Sequence, residues 1–193
     1  MLALDTVSAT LGVPIQHIVL VHPQALVTAI DAIGGIDVEV PATIADWRFP
    51  DDKGGFDPVH IQAGQQHFEG ATALKYVRTR IVPQPGFDRE SRQRQLVLAV
   101  FDKVTRHPTL HGLIERTPAL WPTISDDIET NLSTSEIIDV ALSATTLTAA
   151  DIHLVDLDKC CTTRDTSSSG LALLVAEPEE FQKVLHSALE KTD

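Results

Sequence analysis

Five arginines fall within twenty residues, YVRTRIVPQPGFDRESRQRQ at positions 76 to 95: Arg78, Arg80, Arg89, Arg92 and Arg94. The chain around them is acidic, with 15 Lys and Arg against 27 Asp and Glu and a formal net charge of −12. A guanidinium group binds phosphoryl oxygens through paired N–H donors and stays charged at any workable pH. If residues 77 to 81 are extended, Arg78 and Arg80 project from one face, because side chains alternate with period two. Together they make a two-pronged clamp. Arg89, Arg92 and Gln93 fall in the first turn and a half of a helix opening behind Asp88, where unpaired backbone N–H groups and the helix dipole already favour an anion. Arginines there cost about a few tenths of a kcal/mol each by the dipole rule, which a bound phosphate or pyrophosphate offsets. The plainer reading pairs them with Asp88 and Glu90 in a solvated charged face.

The elements that must hold these residues follow from pattern. At 193 residues, with 43% hydrophobic residues, 11 prolines and 10 glycines, the chain has ordinary globular values and the length of one domain. A short helix is expected at 5–11, capped by Asp5 and stopped by Gly12. IQHIVLVH (15–22) is apolar on both sides, as a strand buried in mid-sheet would be. Pro23 opens a helix that Gly34 and Gly35 end, and IDVEVPA alternates as a half-exposed strand. Residues 43–66, rich in Asp, Gly and Pro, read as a long loop. A helical segment with Phe68, Ala71, Leu74 and Val77 on one face leads into the arginines. Asp88 is the N-cap of the strongest helix, with Val97, Val100, Phe101 and Val104 on its stripe.

Further along, HGLIERTPALWP reads as a helix, SDDIETNLS as a connector, and Ser133 with Glu136 as a capping box. DIHLVDLD (151–158) is strand-like, TTRDTSSSG a polar loop, and Pro178 with Glu179 and Glu180 starts a last helix. Helices between strands predict an α/β layered domain, α-β-α with a mixed central sheet. It divides into residues 1–108, which hold the arginine site, and a closing segment, 109–193.

Other candidates carry less chemistry. The acidic balance and the lack of interleaved aromatics speak against nucleic acid. No apolar run reaches the length of a membrane span, and the N-terminal residues lack a signal-peptide pattern. Asp46, Asp51, Asp52 and Asp57 read as solvated turn formers and match no calcium loop, so no metal site is expected in this chain. His17, His22, His60 and His67 have no metal spacing. Trp47, Trp121 and Tyr76 read as packing residues, Tyr76 with its hydroxyl hydrogen-bonded. Cys160 and Cys161 are adjacent and read as loop residues; a mutual disulfide would be strained.

The order of four elements, DAIGGIDV (31–38), GQQHFEGATAL (64–74), Arg78-x-Arg80 and Arg89-x-x-Arg92-Gln93, resembles the LytR-CpsA-Psr family of cell-envelope proteins. IETNLSTSEIIDVA resembles the segment that closes the family domain. The resemblance implies a phosphotransferase that moves a glycopolymer from an undecaprenyl-pyrophosphate carrier to peptidoglycan, at the extracytoplasmic face of the membrane or in the envelope. It implies that Arg78, Arg80 and Arg89 hold the pyrophosphate, with Gln93 and Arg92 nearby, and that prenyl chains lie in a hydrophobic pocket which the strong helix helps to wall.

The sequence departs from the family pattern at two places. Gly86 stands where an aspartate usually precedes the helix-opening arginine, leaving Asp88 as a substitute catalytic group or as the N-cap alone. The family's membrane helix and its first strand-rich segment, whose aspartates bind Mg2+, have no counterpart in these residues. The expectation is therefore a domain truncated on its N-terminal side, inactive alone, with magnesium ligands elsewhere. Either the sequence is a fragment of the enzyme, or it is a non-catalytic module that binds a polyprenyl phosphate or an envelope partner.

Overall fold

The computed structural model describes residues 2–51, 53–106, 125–144, 146–147, 151–152 and 160–189. Its helices are α1 (Leu2–Leu11), α2 (Pro23–Ala32), α3 (Gly70–Arg78), α4 (Arg89–Arg106), α5 (Thr134–Ala144) and α6 (Pro178–Leu189). The strands are β1 (Val19–Val21), β2 (Ile36–Val40), β3 (Ile44–Asp46), β4 (Val59–Ile61), β5 (Gly64–Phe68), β6 (Ile128–Thr130), β7 (Thr162–Thr166) and β8 (Ala172–Ala176). This is an α/β chain, as expected. It divides into one compact unit of residues 19–149 and another of residues 1–18 with 150–193. Among the described residues the strands pair two by two, β1–β6, β2–β5, β3–β4 and β7–β8, every pair antiparallel, so the parallel pairings of a mixed sheet are not present there.

The larger unit is built on the alternation of β2. Ile36, Val38 and Val40 are buried while Asp37 and Glu39 face out, and the strand runs in register with β5 from Ile36↔Phe68 to Val40↔Gly64. Pro23 begins α2 at a position that needs no backbone donor. The helix ends at Gly34 and Gly35, both at φ +77°, where Gly35 N–H returns to the Ile30 carbonyl. The core joins Ile30 of α2, β2, Ile44 of β3, Val59 and Ile61 of β4, Phe68, Tyr76 of α3 and Leu96 of α4. Each such side chain withdrawn from water stabilises the fold by about 1.5–3 kcal/mol. The capping box at α5 forms as read: Ser133 N–H donates to Glu136 Oε2 at 2.7 Å, and Glu136 N–H to Ser133 Oγ at 3.3 Å.

Several expectations are corrected. The apolar octet at 15–22 is strand only at Val19–Val21, residues that are about half exposed, and among the described residues β1 pairs with β6 alone. That partner lies within the segment read as a connector. The long loop at 43–66 contains the β3–β4 hairpin and most of β5, since Ile44, Val59 and Ile61 supply an apolar face that its Asp and Gly content obscured. In α3 the buried residues are Gly70, Ala73, Tyr76 and Val77 rather than Ala71 and Leu74. In α4 the core side is set by Arg92 and Leu96, with Ala99 and Val100 packed behind, and Val97 is 58% exposed. Trp47 is 67% exposed and stacks on His60.

In the smaller unit α1 packs on α6, and Gly12 at φ +70° closes α1 against the Gln182 side chain. The polar TTRDT segment is strand β7, joined to β8 by a turn at Ser167–Gly170 in which Gly170 takes φ +82°. Cys160 and Cys161 form a disulfide with one another, and the Cys161 carbonyl accepts from Glu177 N–H at 2.9 Å. The helix read at 111–122, Trp121, Asp52 and most of 151–158 lie outside the described residues.

Candidate functional site

The arginine region begins where α3 stops. Thr79 leaves helical geometry (φ −60°, ψ 140°), and its N–H closes the last turn on the Lys75 carbonyl at 3.0 Å. Arg78 is thus the final helical residue and Arg80 the second after it, so no continuous strand presents them. Both side chains are nevertheless exposed. Thr79 is turned inward at 1% exposure, which leaves its two neighbours facing out. The Thr79 hydroxyl donates to Asp46 Oδ2 at 2.6 Å, and Asp46 Oδ1 accepts from Arg48 N–H at 3.1 Å. The Arg78 guanidinium lies 5.6 Å from the Phe49 ring centroid.

Asp88 caps the next helix: its Oδ1 accepts from Ser91 N–H at 2.8 Å, and its carbonyl accepts from Ser91 Oγ and from Arg92 N–H. Asp88 is an N-cap and is not among the residues lining the cavity. One turn apart on α4, Arg89 and Gln93 share a face, and both do line it. Arg89 also pairs with Glu90 at 3.1 Å, the contact that the plainer reading expected. Among the described residues, Arg78 and Arg80 have no carboxylate within ion-pair distance.

Arg92 departs most from its expected role. It is fully buried, and its guanidinium donates to four backbone carbonyls: Nε to Tyr76 (2.9 Å), Nη1 to Ile81 (3.0 Å) and Phe87 (2.9 Å), and Nη2 to Thr79. Four of five donors are spent on the chain itself, leaving little for a ligand. Burial is the main influence on its proton, lowering the pKa from the usual arginine value. The rings of Tyr76 and Phe87 flank it at 6.0 and 5.3 Å. Its position four residues before Leu96 was the available signal, since it puts Arg92 on the apolar side of α4.

These elements surround a cavity of about 570 Å³ lined by Asp46, Arg48, Phe49, Pro50, Val77, Arg78, Thr79, Arg80, Ile81, Arg89 and Gln93. Among the described residues, four arginines, Arg48, Arg78, Arg80 and Arg89, and one acidic residue, Asp46, line this concave wall, a composition that concentrates positive potential. Sequence reasoning missed Arg48, Thr79 and Asp46. Asp46 is 9% exposed, not a solvated turn former; its inward direction follows from Ile44 two residues earlier on β3. Asp51 does form a turn, accepting from Lys53 N–H at 2.9 Å, and Asp57 pairs with Lys75 at 2.6 Å. His67 bonds Asp37 at 2.7 Å and lowers that carboxyl's pKa below its ordinary value. Among the described residues no cluster of His, Cys, Asp or Glu could hold a metal. No helix among them is long and apolar enough to cross a membrane.

Comparison with known proteins gives consistent results. The profile of the LytR_cpsA_psr family matches residues 1–188. The chain is 30% identical over 142 residues to the polyisoprenyl-teichoic acid–peptidoglycan teichoic acid transferase TagU of Enterococcus faecalis, covering 73% of this chain and 42% of that protein. It is 35% identical over 109 residues to the probable cell wall biosynthesis protein LcpB of Corynebacterium glutamicum, covering 55% of this chain and 24% of that one. The chain thus spans less than half the length of these relatives. The crystal structure of Bacillus subtilis TagV superposes with a TM-score of 0.72 at 21% identity, over 98% of this chain and 69% of that one, a likeness of fold.

Proposed function

Because this chain belongs to the LytR_cpsA_psr family, matched over residues 1–188, we propose that its arginine cavity holds the pyrophosphate of a polyprenyl-linked glycopolymer during transfer to peptidoglycan. The protein then works in cell-wall assembly, at the cell envelope. The observation that carries the reading is the cavity itself: Arg48, Arg78, Arg80 and Arg89 line one space, with a single carboxylate among the described residues that line it.

The reaction suits such a wall. An acceptor hydroxyl of peptidoglycan attacks the phosphorus that bears the polymer. A new P–O bond forms to the acceptor, the bridging P–O bond to the lipid phosphate breaks, and polyprenyl phosphate leaves, taking up the proton that the hydroxyl loses. The barrier comes largely from charge on phosphoryl oxygens, and fixed guanidinium groups neutralise it without reorganising. Arg78, Arg80 and Arg89 are the gripping groups, Gln93 is a neutral donor beside them, and Arg48 adds a fourth charge. Magnesium, which the family resemblance implies, does not fit the described groups lining this cavity: Asp46, the one carboxylate among them, already accepts from Thr79 and from the Arg48 amide.

The test is titration of a polyprenyl pyrophosphate into the wild-type chain and into Arg78→Ala, Arg80→Ala and Arg89→Ala. Each substitution should weaken binding by about tenfold or more, the worth of one charge-assisted contact. Unchanged affinity in all three would sink the assignment. Binding without measurable transfer to peptidoglycan would mark the chain as a lipid-phosphate-binding module.

A further inference from the structure

Three of the four arginines in the cavity are linked to one carboxylate that sequence reasoning set aside. We infer that Asp46 is a positioning residue for the anion site, acting through the Thr79 hydroxyl on Arg78 and Arg80 and through a backbone amide on Arg48. The inference rests on the proposed reading of the cavity as a pyrophosphate site.

The geometry is specific. Thr79 stands between Arg78 and Arg80, and its hydroxyl donates to Asp46 Oδ2 at 2.6 Å with both residues buried. A charge-assisted bond of this kind is stronger than a neutral one and fixes the rotation of the Thr79 side chain. The Thr79 backbone is fixed too, by its N–H to Lys75 and by its carbonyl to Arg92. With both parts of Thr79 held, the directions in which its two neighbours leave the chain are set. The other oxygen of Asp46 accepts from Arg48 N–H at 3.1 Å, orienting the start of the loop that carries the third arginine and Phe49. Prior fixation of this kind lowers the ordering cost of ligand binding.

An acidic residue inside an anion site is electrostatically adverse, and this supplies a discriminating experiment. Coulombic reasoning alone says that Asp46→Asn, which removes a negative charge, tightens anion binding. Positioning says the reverse. An amide keeps one acceptor oxygen, for the Arg48 N–H, and presents N–H rather than an acceptor to the Thr79 hydroxyl, so the charge-assisted bond that Thr79 donates is lost and only a neutral, reversed one can replace it.

Inorganic pyrophosphate is the probe, titrated calorimetrically into wild type, Asp46→Asn, Thr79→Val, Thr79→Ser and Arg78→Ala, with thermal unfolding of each recorded alongside. Binding should weaken about tenfold in Asp46→Asn and in Thr79→Val, and return to within about threefold of wild type in Thr79→Ser, which keeps the hydroxyl. Tighter or unchanged binding by Asp46→Asn overturns the inference, as does failure of the serine to rescue. If Arg78→Ala loses binding while the Asp46 and Thr79 variants do not, the site stands and only the positioning role falls. Absence of binding by wild type removes both.

Discussion

Arg92 Nε donates to the Tyr76 carbonyl at 2.9 Å, and the same guanidinium holds the carbonyls of Thr79, Ile81 and Phe87. One side chain from α4 therefore ties together the end of α3, the segment bearing Arg80 and the residue preceding the Asp88 cap. Its planar fork of donors gives an otherwise irregular stretch of backbone a defined path.

Replacing Arg92 should therefore cost stability before it costs binding. Arg92→Leu leaves buried carbonyls without donors and should lower the unfolding free energy by at least about 3 kcal/mol. Arg92→Lys should recover little, since an ammonium is a compact three-donor charge that cannot span four acceptors. Urea denaturation followed by circular dichroism measures both. A loss below about 1 kcal/mol in Arg92→Leu would contradict the role.

Tyr76, the chain's one tyrosine, gives a clean optical titration. Its hydroxyl donates to Gln95 Oε1 at 2.5 Å, and burial pushes its pKa up to about 12, with the Arg92 charge opposing. The raised value sets the sign: the unfolded phenol ionises near about 10, whereas the folded one holds its proton. This contribution is complete below about pH 10 and is lost as pH rises through about 12. Phenolate absorbance should show the high midpoint, and Tyr76→Phe should abolish that part of the alkaline loss of stability. A phenolate midpoint near about 10 in the folded chain would refute it.

Gly70 opens α3 where the helix passes α2. A Cβ placed there comes within 2.2 Å of the Val27 carbonyl oxygen, which is backbone and cannot swing away. Gly70→Ala should destabilise by about 1–3 kcal/mol through overpacking. Because α3 ends in Arg78, the same change should weaken pyrophosphate binding, and calorimetry beside thermal melting checks both.

Arg48 and Arg94 separate the cavity from the cluster. Arg48, outside the five-arginine stretch, lines the cavity, whereas Arg94, inside the stretch, does not. Arg48→Ala should weaken pyrophosphate binding by about tenfold, Arg94→Ala should stay within about twofold, and wild-type affinity should fall with added salt as the charges are screened. Equal effects of the two substitutions would favour a diffuse charged face over a formed site.

Much of this was legible in the residues, and for a physical reason: local order is written in local spacing. Pro23, the Gly34–Gly35 stop, the alternation of β2, the Asp88 cap and the Ser133–Glu136 box each depend on contacts within a few positions, and each formed as read. Spacing also put Arg89 in line with Gln93, whereas Arg78 and Arg80 reach the cavity from a helix end and the residues after it rather than from the extended segment expected. Tertiary structure decided which charges stay in solvent. Arg92 and Arg89 are three residues apart and alike in chemistry, yet α4 buries one among carbonyls and leaves the other at the cavity, because only packing against α3 and Phe87 fixes which side of the helix faces inward. Asp46 looked like a turn residue until the fold brought it to Thr79, 33 positions away, and that bond between distant segments is what no local pattern encodes.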